Sequence, residues 1–165
     1  NPKFRTEIVG RNYKNEVAIK SFELIYEAGI STTSNNILGF PDETRELVFD
    51  TIELVRKLKS DDINAFTFIP YQGTSLRGLC ETKNYLKKDT LANIYETDSL
   101  LDMPSLSKKE IGGLVKTFPL YARLPRSYWK DLKAAESDTP EGKKIYDNLL
   151  NIFRDKYSNT SLARD

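Results

Sequence analysis

The residues that could do chemistry in this sequence lie where two apolar stretches end abruptly. The first stretch ends at Gly39, and Pro41 follows it; the second ends at Pro70. Glycine can adopt a backbone shape that other residues cannot, and proline does not continue a strand, so both stretches are expected to end in turns. Ligands of α/β sheets bind just past the carboxyl ends of strands. We therefore expect a ligand site at these two turns.

Composition excludes several kinds of catalytic chemistry. The 165-residue chain contains no histidine and one cysteine, Cys80. Histidine triads, histidine general bases, the usual zinc sites and clusters held by several thiolates are therefore excluded for this chain. A lone cysteine forms no intrachain disulfide, which fits a reducing compartment, and we expect a cytoplasmic protein.

Charge and hydropathy limit the kinds of partner. Lysine and arginine number 25 against 24 aspartates and glutamates, so there is no basic field of the kind that marks a general nucleic-acid binder. No apolar run approaches bilayer length, which predicts the absence of a membrane span. The first residues have neither an initiator methionine nor a signal-peptide layout, and we expect an internal cut from a longer protein.

Periodicity predicts two strand–turn–helix units after a first helix. Asn15 is expected to cap that helix and Gly29 to end it. Strands are predicted over 30–38 and 63–69, with an amphipathic helix over 44–59 between them. Two such units in succession predict parallel strands with both turns at one edge. The second strand is mostly apolar on both sides, which is typical of burial on two faces.

The rest of the chain is predicted to be irregular at first and helical later. The expected parts are a polar lead-in over 4–13, a short helix after Thr74, a connector over 87–104, a capping box at Ser107 and Glu110, an extended link over 118–125, a short helix over 126–135, and a last helix beginning at Thr139 and Pro140. The predicted division is 1–86 and 87–165.

Two phrases at the strand ends resemble a known family. Asn35–Thr44 (NNILGFPDET) followed by Phe68–Thr74 (FIPYQGT) is similar to the C-terminal half of the radical S-adenosylmethionine (SAM) enzyme core. More narrowly, the chain resembles the class whose members often carry an N-terminal cobalamin-binding domain. The resemblance runs from about Arg5 to Leu86 and continues more weakly through 106–108 and 118–121.

The resemblance implies a fold and cofactors. The fold would be α/β, formed by the C-terminal strands and helices of a partial (β/α)6 TIM-like barrel and followed by a helical extension. The missing N-terminal half of the barrel would be the partner of the open sheet edge. The intact protein would use SAM and a [4Fe–4S] cluster, with cobalamin left open. The family's CxxxCxxC cluster loop is absent here, so the segment alone is not expected to be active, and Cys80 is expected to pack.

The resemblance also implies cofactor contacts on the first strand. The family pattern GxIxGxxE reads here Asn35, Ile37, Gly39 and Asp42. Ile37 would pack on adenine, Gly39 would let the backbone approach, and an amide at Asn35 can reach the ribose hydroxyls. The register of the acidic residue is open, because Glu43 follows directly. The alternative for Ile37 is ordinary sheet core.

Three further contacts are implied outside that strand. Arg11 resembles an arginine that binds the SAM carboxylate, a role suited to a guanidinium fork. Ile69 and Pro70 would supply apolar and backbone contacts to adenine. The alternative for Arg11 is a plain surface charge.

The activity implied by the resemblance is reductive cleavage of SAM to a 5′-deoxyadenosyl radical that abstracts hydrogen from a substrate. With cobalamin, the outcome would be methyl transfer or rearrangement; nothing in the sequence identifies the small-molecule or other substrate. Two alternatives stay open. One is a non-catalytic α/β module that binds a nucleotide or phosphate at helix N-termini. The other is an interaction protein whose open sheet edge recruits a partner strand or a second copy of the chain.

Overall fold

The computed structural model describes residues 1–87, 89–92 and 98–156. Its elements are α1 (Pro2–Glu7), α2 (Asn15–Glu27), β1 (Thr33–Leu38), α3 (Arg45–Val55), β2 (Asp62–Thr67), α4 (Ser75–Thr82), α5 (Lys108–Arg123), a 3-10 turn (Arg126–Tyr128), α6 (Trp129–Ala135) and α7 (Pro140–Lys156). Within these ranges, no helix is both long and apolar enough to cross a bilayer.

The two strands form a parallel pair, as predicted. Thr33 lies opposite Asp62 and Leu38 lies opposite Thr67, so both carboxyl ends are at one edge. Both strands are shorter than predicted. Residues 30–32 lie outside β1 because the Thr32 amide donates to the Asp61 carboxylate, at 2.7 Å, instead of joining a strand ladder.

The prediction that the second strand is buried on both faces is wrong. Ile63 is buried, whereas Phe66 is 52% exposed. Side chains alternate between the two faces of a strand, and the described helices cover only the face that carries Ile63 and Leu38. The apolar character of β2 therefore reflects a buried face and an open face that is also partly apolar.

The helix starts follow the capping signals in the sequence. The Thr44 hydroxyl accepts from the Leu47 amide at the start of α3, and Thr74 caps α4 in the same way. Ser107 and Glu110 form the predicted capping box. The Thr139 hydroxyl accepts from the Gly142 amide at 3.1 Å, so the predicted start of α7 is confirmed as well.

Three local predictions are wrong. The lead-in contains a helix, α1, which Asn1 caps by accepting from the Phe4 amide. Asn15 does not cap α2. It is the first residue of the helix, Lys14 occupies the N-cap position, and the Asn15 side-chain oxygen accepts from the Arg5 guanidinium at 2.7 Å. Residues 118–123 are helical, not extended.

Pro119 lies inside α5 even though proline removes a helix hydrogen bond, at a typical cost of about 3 kcal/mol. The helix continues because its neighbours Phe118 and Tyr121 are fully buried, and their burial outweighs that cost. Helix α3, by contrast, stops at Val55, four residues earlier than predicted, in a tighter turn where the Leu58 amide donates to the Val55 carbonyl.

The core joins the sheet unit to the helices that follow it. Ile52 of α3 and Leu38 of β1 belong to the same buried cluster as Ile111 of α5 and Leu149 of α7. The buried Arg56 donates to the carbonyls of residues 121 and 124 at the end of α5, at 2.9 and 2.8 Å. The core thus spans both predicted segments, 1–86 and 87–165, and their division into domains stays a prediction.

Candidate functional site

One face of the sheet carries side chains that the described helices leave open. In register across the two strands, Asn35 lies opposite Asn64 and Ile37 lies opposite Phe66. The Asn64 Nδ2 donates to Asn35 Oδ1 at 3.1 Å. Ile37 is 49% exposed, so the alternative that it belongs to the ordinary sheet core is wrong. This open face ends at the turns that follow both strands.

The turn after β1 is closed by the side chain of Glu43. Gly39 has a φ of +84°, in the left-handed region that favours glycine. The Glu43 carboxylate accepts from the Gly39 amide at 2.5 Å and from the Phe40 amide at 3.3 Å. Burial raises the pKa of Glu43 to about 7, although both amide hydrogen bonds oppose this shift. Glu43, not Asp42, is therefore the acid that holds the turn.

Asp42 instead ties the turn to the chain beyond α4. Its carboxylate accepts from Lys83 Nζ at 2.5 Å and from the Tyr85 hydroxyl at 2.7 Å. The Lys83 hydrogen bond holds the pKa of Asp42 below its ordinary value. Sequence reasoning missed this Asp42 clamp (Asp42, Lys83 and Tyr85), because Asp42 lies more than 40 positions from the other two residues and no local pattern links them.

The turn after β2 lies directly beside the first turn. The Phe68 amide donates to the Leu38 carbonyl at 2.7 Å, and the Phe68 ring packs on Phe40 with centroids 4.8 Å apart. The predicted contact residues Ile69 and Pro70 follow; Ile69 is half-buried and Pro70 is buried. The two predicted turn sites therefore form one continuous edge.

Arg77 fixes the backbone of the second turn. It is buried, and its guanidinium donates to the Pro70 carbonyl at 3.2 Å, the Thr90 carbonyl at 2.9 Å and Glu81 at 2.6 Å. A planar guanidinium that reaches three acceptors holds all of them in a defined arrangement. Sequence reasoning missed Arg77, which looks like an ordinary charged residue of a short amphipathic helix.

Gly39 is constrained by packing as well as by its backbone angle. A Cβ at this position would lie 3.1 Å from Cδ1 of Ile111, in the first turn of α5. The first turn of α5 therefore packs closely against the turn that bounds the open face.

Arg11 does not lie on the sheet or on the turns that bring the other predicted contact residues together. It lies in the exposed segment between α1 and α2, where its backbone amide donates to the Arg5 carbonyl at 3.1 Å. The better anchored arginine in this segment is Arg5, which donates to Asn15 and stacks on Tyr13. The carboxylate-binding role of Arg11 stays a prediction.

The chain is similar to proteins named for methyl or methylthio chemistry. It is 26% identical over 127 residues to an uncharacterized methyltransferase of Pyrococcus horikoshii, a match covering 76% of this chain and 28% of that protein. It is 35% identical over 75 residues to a tRNA-2-methylthio-N(6)-dimethylallyladenosine synthase of Syntrophomonas wolfei, covering 44% of this chain and 17% of the synthase. The synthase of the same name from Chromohalobacter salexigens is 34% identical over 84 residues, covering 50% and 18%. No family model and no solved structure matches the chain.

These similarities support a radical SAM-type relationship. They carry no information on cobalamin. The chain spans less than a third of the length of these relatives.

A [4Fe–4S] cluster does not fit the residues of this chain. Cys80 is its one cysteine and is fully buried in α4, where burial raises the pKa of its thiol to about 11; the packing role expected for it is confirmed. Among the residues that the structure describes, no group of three or more histidine, cysteine, aspartate or glutamate side chains could hold a metal ion. The residues of the open face do fit the adenosine portion of SAM, because apolar and amide groups lie next to one another there.

Proposed function

We propose that this chain is the C-terminal part of a radical SAM enzyme and that its open sheet face holds the adenosine portion of SAM. One observation carries the proposal. Asn35 and Ile37 lie on the uncovered face of β1 and lead to the turn at Gly39, in the order in which the family pattern uses them. Ile37 is about half exposed, so its side chain is accessible to a ligand on this face.

The chain's own residues fit an adenosine by their chemistry. Ile37 offers an apolar surface for a purine face, and the Asn35 amide can both donate to and accept from a hydroxyl. Arg77 holds the Pro70 carbonyl in place at the second turn. When bound, SAM supplies the 5′-deoxyadenosyl radical for hydrogen abstraction. The task of these residues is to orient the nucleoside and keep water away from it.

We propose transfer of a methyl group or a related one-carbon or sulfur group as the reaction class of the whole enzyme. The support is the chemistry for which the relatives are named, a methyltransferase and methylthio synthases. A cobalamin-dependent form of this reaction, and a rearrangement, stay predictions. The balanced charge of the chain, 25 basic against 24 acidic residues, gives no reason to extend the tRNA substrate of those synthases to this protein.

The test begins with the coding sequence upstream of Asn1. We expect a CxxxCxxC motif about 100 to 150 residues upstream, which is the length of roughly four βα units. The full-length protein is then reconstituted with iron and sulfide without oxygen, reduced, and assayed for 5′-deoxyadenosine. Formation of 5′-deoxyadenosine that falls at least tenfold in Ile37→Asp supports the proposal. A start codon directly before Asn1, or no product from a protein with an intact cluster, would contradict it.

A partner-binding role is the second candidate, and the exposure of Ile37 and Phe66 favours it. An uncovered apolar pair on an edge strand can recruit a partner strand or a second copy. Light scattering during size-exclusion chromatography tests self-association of the 1–165 chain, which should dimerise at high concentration; a strict monomer would rule it out. A phosphate site at the first turn has less support, because the Gly39 and Phe40 amides already donate to Glu43.

A further inference from the structure

We propose that Asn64 and Phe66 of β2 bind the nucleoside together with Asn35 and Ile37: the asparagine pair holds the two ribose hydroxyls, and Phe66 with Ile37 holds the base. This inference rests on the proposed function and deepens it, because it extends the site from β1 to the facing side chains of β2.

The register places these four side chains as two stacked cross-strand pairs. Asn35 faces Asn64, and two residues further along each strand Ile37 faces Phe66. The upper pair, nearest the strand ends, is apolar, and Ile37 and Phe66 are each about half exposed. Same-face neighbours on a strand are about 7 Å apart, a spacing comparable with that between the base and the sugar hydroxyls of a nucleoside. A ligand seated here would be apolar at one end and polar at the other.

The asparagine pair selects among polar groups. One hydrogen bond joins the two amides, which leaves one NH₂ group and one carbonyl oxygen side by side. This holds whichever asparagine is the donor, so it does not depend on how the amides are oriented. A vicinal diol satisfies both groups, because each hydroxyl both donates and accepts. A phosphate would satisfy only the NH₂ group, and an ammonium only the carbonyl.

The surroundings also favour a neutral ligand over an anion at this level. Asp62, in the next pair toward the strand starts, lies on the same face and is exposed. A purely apolar ligand would cover the amides without satisfying them, which costs free energy. A nucleoside meets both conditions, since its base covers the apolar pair and its sugar reaches the amides.

The experiment compares two ligands on the full-length protein by calorimetry: adenosine and 2′,3′-dideoxyadenosine, which lacks both sugar hydroxyls. Asn64→Leu should weaken adenosine binding about tenfold and change dideoxyadenosine binding less than twofold. Phe66→Ala should weaken the binding of both ligands about tenfold, because the base is common to them. Asn148→Leu, the same change at an exposed position of α7, should change neither.

The outcomes separate this inference from the proposed function. If the unmodified protein does not bind adenosine, the proposed function itself fails. If it binds adenosine and Asn64→Leu affects both ligands equally or neither, the role of Asn64 is wrong and the function stands. Should Asn64→Leu lower the melting temperature, Asn64→Ala, which adds no bulk, must show the same selective loss for adenosine; without that loss the inference is overturned.

Discussion

The polar side chains on the two sides of the sheet differ in how fully they are hydrogen-bonded. On the covered side, both Glu136 carboxylate oxygens are bonded: Arg45 and Tyr121 reach Oε1, at 2.5 and 2.8 Å, and Arg45 and Lys133 reach Oε2. On the open side, the Asn35 and Asn64 amides share one hydrogen bond. A saturated buried network stabilises the fold, whereas polar groups with spare capacity beside an apolar surface can bind a ligand.

The aromatic residues show the same contrast. Phe49, Tyr121 and Trp129 pack edge to face, with centroids 5.1 to 5.6 Å apart. Phe66 on the open side is half exposed beside Ile37. Burial and satisfied hydrogen bonds, more than residue type, distinguish this structural cluster from the candidate site. Four predictions follow, in order of decreasing effect.

The largest effect is expected from Glu136→Ala in the saturated network. It leaves Arg45 and Lys133 without their acceptor, and breaking a pair of which one member is buried should lower the free energy of unfolding by about 3 kcal/mol. Urea denaturation measures it. The control is Glu53→Ala, which removes the more exposed ion pair with Arg126 and should cost less than about 1 kcal/mol. Equal losses for the two variants would contradict the structural role of the buried Glu136 network.

The next effect is a pH dependence that comes from Glu43. Its folded pKa, about 7, lies above the unfolded value of 4.5, so the folded state holds the extra proton between these pH values. The free energy of unfolding should therefore fall as pH rises from 4.5 to 7, by on the order of 3 kcal/mol. Glu43→Gln keeps an acceptor for the turn amides and should flatten this decrease. Asp42→Asn should leave the pH dependence unchanged, because the Lys83 hydrogen bond lowers the pKa of Asp42, away from the range of pH 4.5 to 7. If the free energy of unfolding of Glu43→Gln falls as steeply with pH as that of the unmodified protein, Glu43 is not the source of the pH dependence.

Two adjacent glycines of α5 should respond in opposite directions. A Cβ on Gly113 would lie 2.7 Å from the Glu136 carbonyl oxygen, whereas a Cβ on Gly112 meets nothing within 4 Å. Gly113→Ala should destabilise the protein by about 1 to 3 kcal/mol through overpacking. Gly112→Ala should stabilise it by about 0.5 to 1 kcal/mol through helix propensity. Thermal melts measure both; a stabilising Gly113→Ala would show that α5 and α6 are not in close contact.

The smallest effect is expected from the Asp42 clamp. Asp42 and Lys83 are both more than a third exposed, so solvent screens their ion pair and its contribution to stability should be small. Asp42→Asn keeps a residue that tolerates the φ of +63° and removes the charge. A melting temperature lowered by only a few degrees is the expected result, with Tyr85→Phe giving a smaller shift. A loss of stability as large as that of Glu136→Ala would show that the Asp42 clamp stabilises the fold as much as the buried Glu136 network does.

Much of the local structure could be predicted from sequence. Thr44, Thr74 and the Ser107 capping box each mark a helix start, because a side-chain oxygen that accepts a nearby amide is a local interaction. Two strand–turn–helix units in succession predicted the parallel pair for a different reason, because the intervening helix carries the chain back to the edge at which the first strand began. Pro119 shows the limit, since its local preference for breaking a helix lost to the burial of its neighbours.

The candidate site could be predicted only in part. The resemblance singled out Asn35 and Ile37, but their position on an open face depends on which side the helices cover. The choice between Asp42 and Glu43 followed from the turn itself, where only Glu43 reaches the Gly39 amide. The facing residues Asn64 and Phe66 required the register of the strand pair.

Local sequence signals were enough to predict where most helices and turns begin, which chemistries this chain cannot perform, and the two strand ends at which to look for a ligand. Those properties follow from residue type and from interactions over a few positions. Tertiary packing, by contrast, leaves Ile37 and Phe66 exposed and buries Glu43 and Arg77. That difference depends on contacts between residues far apart in the chain, and these contacts separate the open face from the core.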